Sequence, residues 1–108
     1  MPETVAIILS FRQNETEQFE KLFSDEIYPL WQEFKAKGKI IAASLTPALD
    51  APEMKEGVRE YILHVEVPSR AEHNQFDTDS RFLSFLEKVK PSQPEEPKVW
   101  LGNTLFKI

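Results

Sequence analysis

One histidine, one arginine and several hydroxyls stand at alternating positions of segments that read as β-strands, a set able to do acid–base work on a small molecule. His64 lies in the run Val58-Arg59-Glu60-Tyr61-Ile62-Leu63-His64-Val65-Glu66-Val67. Side chains alternate faces along a strand, so Tyr61, Leu63, Val65 and Val67 form an apolar side and Glu60, Ile62, His64 and Glu66 the other. The same alternation puts Ser10, Arg12, Ser44, Thr46, Trp100 and Thr104 on the side of His64. Apolar walls from Ile62, Trp100 and Phe106 with a few convergent polar groups have the composition of a small-molecule pocket. Histidine changes charge near neutral pH, which makes His64 the candidate general base, with Arg12 to neutralise a carboxylate or a developing enolate. Ser10, Ser44, Thr46, Ile62, Glu66, Trp100 and Thr104 are then the candidate ligand-binding positions. Each candidate has a plainer alternative. A lone strand histidine such as His64 is more often a structural or interface residue, Arg12 and Glu66 read more readily as an ion pair at the rim or across a dimer, and Trp100 reads as interface packing or as a platform for a planar ligand.

Other candidates are poorer. His73 and Asp77 have helical i, i+4 spacing, but two ligands without a third do not make a metal site, and a solvated helix face accounts for them. Gly38, Gly57 and Gly102 never form a glycine-rich phosphate loop, and the absence of cysteine rules out disulfides and thiolate metal sites. No metal and no cofactor is expected. A net charge of −5 without a basic, aromatic-studded stretch argues against nucleic acid as a partner. The N-terminal residues carry no basic region and the apolar run Val5 to Leu9 is too short to cross a membrane, so a soluble, cytoplasmic protein is expected.

The elements that must hold these residues follow from periodicity. Residues 5–12 read as a first strand, and Asn14 with Glu17 has the spacing of a capping box for a helix beginning near Glu15. Phe19, Leu22, Phe23, Ile27, Leu30, Trp31 and Phe34 recur as one buried stripe, which Pro29 must break or kink while pushing Tyr28 towards extended geometry. Lys35, Lys37 and Gly38 end the helix, and residues 39–46 form strand two. A long loop, 47–57, leads to the strand of His64. Ser69 and Glu72 offer a second capping box, the run Asp77-Thr78-Asp79-Ser80 interrupts that helix, and a second helical piece carries Phe82, Leu83, Phe85, Leu86 and Val89 as its buried side. After the proline-rich stretch 91–97, residues 98–108 form the last strand.

The order strand, helix, strand, strand, helix, strand predicts an α+β class, a ferredoxin-like βαββαβ domain spanning residues 1–108 with a four-stranded antiparallel sheet. Both helices lie on one side. The other face keeps Ile8, Ile40, Ile62, Trp100 and Phe106, each worth about 1.5–3 kcal/mol when buried, and a second copy packed sheet to sheet is the expected cover. With Ile27-Tyr28-Pro29-Leu30-Trp31-Gln32-Glu33-Phe34, the join Lys37-Gly38-Lys39-Ile40 and the acidic break Phe76-Asp77-Thr78-Asp79-Ser80-Arg81-Phe82-Leu83, the chain resembles the dimeric α/β-barrel superfamily. That superfamily holds cofactor-free antibiotic-biosynthesis-type monooxygenases, muconolactone-isomerase-like and YciI-like proteins, haem enzymes and stress-responsive barrels. The resemblance implies a homodimer through the open sheet face with a small-molecule pocket between sheet and helices. It leaves two functions open: a cofactor-independent monooxygenase or isomerase acting on a planar organic acid or phenol, and a non-catalytic metabolite-binding or protein-interaction homodimer.

Overall fold

A computed structural model describes residues 1–108. Four strands, β1 (Glu3–Arg12), β2 (Ala42–Pro47), β3 (Val58–Val67) and β4 (Lys98–Asn103), form an antiparallel sheet in the order β2-β3-β1-β4. Helices α1 (Thr16–Leu22) and α2 (Tyr28–Ala36) fill the first crossover, and α3 (Arg70–Asp77) and α4 (Ser80–Val89) the second. This is the predicted ferredoxin-like arrangement, and β3 has the predicted bounds.

The alternation along β3 decides which face meets the helices. Tyr61 and Val67 are buried and belong to the core, whereas Ile62 and His64 between them point to the opposite, exposed side. The helix stripe delivers Phe19, Phe23, Ile27, Leu30, Trp31 and Phe34 onto the sheet, with Phe85 and Val89 from α4. Aromatic rings dominate this layer. Phe11 and Phe19 stack with centroids 3.9 Å apart, and the Tyr61 ring meets both edge-on. The buried Tyr61 hydroxyl donates to Glu20 at 2.6 Å, and burial first, then that carboxylate, push the phenol well above its usual range, so it stays protonated.

Pro29 does not break the helical path. Residues Phe23–Ile27 form one wide π turn in which the Tyr28 N–H bonds to the Phe23 carbonyl, five residues back, and Pro29 follows as the second residue of α2, where its missing N–H is tolerated. Tyr28 is consequently helical (φ −58°, ψ −44°), not extended as predicted. The Asn14–Glu17 box does not form either. A short 3₁₀ turn, Gln13–Glu15, precedes α1, and the Thr16 hydroxyl donates to the Gln13 carbonyl at 3.0 Å. The second box does form: Ser69 accepts from Ala71 N–H at 3.3 Å and bonds Glu72, while Asp79 caps α4 through Arg81 N–H at 2.9 Å.

Two strand ends depart from expectation and move two side chains. After α2, Gly38 takes φ +72°, and the bonds Gly38 N–H to Lys35 O and Lys39 N–H to Phe34 O close a Schellman turn. The turn delays β2 until Ala42 and sends Ile40 into the core rather than onto the open face. At the other end β4 stops at Asn103, opposite Glu3, and one further backbone bond, Thr104 N–H to the Pro2 carbonyl at 3.0 Å, ends the pairing. Phe106 therefore lies exposed in the tail and not in the sheet.

Candidate functional site

The open face of the sheet holds most of the predicted positions. Register places His64 between Ala6 and Ser44, and Ile62 between Ile8 and Thr46, while Trp100 lies opposite Ala6. Thus His64, Ser44, Thr46, Ile62 and Trp100 form one continuous patch, with Ile62 42% and Trp100 61% exposed. Ser10, opposite Glu60, is buried. Arg12 stands opposite Val58, at the far end of β1 from the His64 level at Ala6, about 20 Å away at a rise of ~3.3 Å per residue. There it pairs with Glu15 at 3.4 Å and donates to the Pro91 carbonyl at 2.7 Å. Within one chain, then, Arg12 and His64 do not meet. Nor do Arg12 and Glu66: Glu66 accepts from Lys107 at 3.0 Å and Thr104 at 3.3 Å, and Thr104 also bonds the Thr4 hydroxyl at 2.6 Å. The C-terminal tail so covers the Glu66 end of the face and leaves the His64 patch bare.

The cavity lies on the other side. Between sheet and helices is a space of about 420 Å³ lined by 22 residues, eighteen of them hydrophobic. Val5, Ile7, Leu63 and Val65 floor it from the sheet; Phe23, Ile27 and Trp31 wall it around the π turn; Phe82, Phe85 and Val89 close it from α4. None of the nine predicted site residues lines it. The exposed members of the lining, Asp77, Leu86, Pro97 and Val99, mark its mouth, beside β4.

At this mouth sits a polar cluster that sequence reasoning passed over. His73 is no solvated helix residue: its side chain is only 13% exposed, with one carboxylate on each ring nitrogen, Glu3 on Nδ1 and Asp77 on Nε2 at 2.9 Å. Glu3, 4% exposed in its side chain, also accepts from Arg70 Nε at 2.7 Å. The hydrogen bond from His73, opposed by burial and aided by Arg70, holds the Glu3 carboxyl below its usual range. His73 takes its two carboxylates on opposite sides of the ring, so the three groups bridge rather than converge as metal ligands would. The i, i+4 spacing of His73 and Asp77 was the one local signal; Glu3, from the other end of the chain, left none.

Because the folded-state pKa of Glu3 is depressed, its contribution to stability is present above the unfolded carboxyl value of about 4.3 and is lost as pH falls through the lower folded value. Glu3→Gln is expected to destabilise the protein by about 1.5–3 kcal/mol at pH 7, the usual range for a hydrogen bond to a charged group. In urea melts at pH 7 and pH 3 the gap between parent and variant should narrow at the lower pH; an unchanged gap would mean that the ion pairs contribute nothing.

By sequence, the chain matches no protein-family model and no curated protein. By structure it has clear likenesses. A candidate antibiotic biosynthesis monooxygenase from Nitrosomonas europaea superposes with a TM-score of 0.78 at 12% identity, over 97% of this chain and 91% of that one. Rv0793 from Mycobacterium tuberculosis gives 0.78 at 17% identity, over 99% and 98%. A dimeric ferredoxin-like protein from an uncultured marine organism gives 0.77 at 15% identity, over 99% and 90%. The fold these structures share with the chain is the ferredoxin-like one. Its neighbours are monooxygenase-like and dimeric ferredoxin-like proteins, the likeness being one of fold at these identities. No helix of the ferredoxin-like chain is long and apolar enough to cross a membrane.

Proposed function

We propose that this chain is a homodimeric α/β-barrel protein in which each protomer binds a small, largely apolar organic molecule between its sheet and its helices. The observation that carries this is the cavity of about 420 Å³, whose lining is apolar apart from His73, Asp77 and Gln93. That volume and composition are those of small-molecule sites, and a planar organic acid or phenol matches an apolar slot with polar groups at one end. The enzymatic form of this function is a cofactor-independent monooxygenase or isomerase, supported by the fold shared with monooxygenase-like proteins. The homodimer is supported by the bare Ile62, His64 and Trp100 patch and by two structural neighbours described as dimeric. In such a dimer His64 and Ser44 would line the seam between sheets. Acid–base chemistry by His64 would depend there on groups of the second copy, since Arg12 of its own chain is out of reach.

Binding of the neutral probe 2-acetylnaphthalene, followed by its fluorescence, tests the cavity. The parent should bind it, and Leu63→Trp, which fills the floor, should weaken binding by about tenfold or more while the far-ultraviolet dichroism stays unchanged. Equal binding by parent and variant would place the probe elsewhere. Oxygen uptake with a dihydroxynaphthalene, above its autoxidation rate, is the expected sign of the monooxygenase; binding without turnover would assign the protein to the non-catalytic class.

A further inference from the structure

Building on the cavity as the ligand site, we propose that His73 is the group that reads an acidic oxygen on the ligand, a carboxylic acid or a phenol, and that Asp77 is the gate the ligand displaces from it. The two partners of the His73 ring are not equivalent. Glu3 is buried, receives Arg70 as well, and fixes the ring through Nδ1. Asp77 ends α3 and is 51% exposed in its side chain, so it can turn to water while the Glu3 contact persists. Nε2 is thus the exchangeable side, and both His73 and Asp77 border the mouth of a space that is otherwise apolar but for Gln93.

The chemistry selects the head group. With Nδ1–H committed to a carboxylate, the Nε2 position offers N–H to an anionic oxygen, or a lone pair to an acidic O–H. In the second case the ligand O–H bond breaks, an Nε2–H bond forms, and the resulting oxyanion stays paired with the imidazolium, whose charge Glu3 offsets. Either way the bound state is the same oxyanion on the same N–H. A neutral ketone or ester lacks the negative charge needed to take the place of Asp77, whereas an acid replaces one carboxylate oxygen by another. The body of the ligand then lies over Val5, Val65 and Phe85, away from water.

The test compares 2-naphthoic acid with its neutral isostere 2-acetylnaphthalene on the full chain, by fluorescence or calorimetric titration. The parent should prefer the acid by about tenfold or more, the scale of a hydrogen bond to a charged group. His73→Gln should erase that preference while keeping affinity for the neutral compound. Asp77→Ala should widen the preference severalfold because the competing carboxylate is gone; this position is exposed, so the variant keeps the fold if His73→Gln does not. A preference that survives His73→Gln overturns the assignment, as does an Asp77→Ala variant that binds the acid more weakly and the neutral compound unchanged. Binding of neither compound by the parent overturns the cavity as the ligand site and this assignment together, whereas binding of both without preference overturns this assignment alone.

Discussion

Phe19→Ala should cost about 3–5 kcal/mol, the largest loss expected from a single truncation in this protein. Phe19 is 2% exposed and stands at the hub of the aromatic layer, stacked on Phe11, edge-on to Tyr61 and Phe23, and tilted against Phe85. Removing its ring takes away apolar burial and leaves a void that four other rings cannot close without abandoning their own packing. For a chain of this length the thermal midpoint should fall by roughly 15 °C or more. Leu83, expected from the sequence on the buried side of α4, is 47% exposed, so Leu83→Ala serves as the control and should change the midpoint little. A Phe19→Ala midpoint within a few degrees of the parent would show that the core is not built around this ring.

The second large effect is on assembly. Ile62→Glu combined with Trp100→Glu is expected to convert a dimer into a monomer at micromolar concentration, as read by sedimentation velocity. Both side chains lie on the open face, so a single chain tolerates the change without loss of core packing. In a two-fold dimer each substitution occurs twice. Losing about 1.5–3 kcal/mol for each large side chain, and burying carboxylates without partners in addition, should weaken association by well over a hundredfold. A parent that sediments as a monomer, or a double variant that remains dimeric, would rule out this face as the contact between copies.

Much of the fold was legible because local pattern and tertiary demand agree. In Val58–Val67 the two-residue alternation names the buried side without knowledge of any neighbour, and in Phe19–Phe34 the three- and four-residue spacing names the stripe that covers it. Where several local solutions are open, the neighbours decide. The Pro29 defect is absorbed by one wide turn because the apolar residues on both sides of it are already docked on the same sheet. Ile40 goes to the core because the Schellman turn at Gly38 sets where β2 enters the sheet. Phe106 stays outside because the pairing of β4 with β1 ends at the bond from Thr104 N–H to the Pro2 carbonyl, two residues before it.

The candidate site divides along the same line. Composition and alternation by themselves determined that one sheet face packs under helices and that the other carries Ile62, His64 and Trp100, because strand geometry allows only two directions for a side chain. Only the tertiary structure decided where a ligand-sized space lies, since a cavity is the difference between two packed surfaces and no single segment encodes it. It also decided that His73 is held between Glu3 and Asp77 at the mouth of that space. A contact between residues 3 and 73 exists only after the sheet and the second crossover have come together, so no local pattern in either segment could announce it.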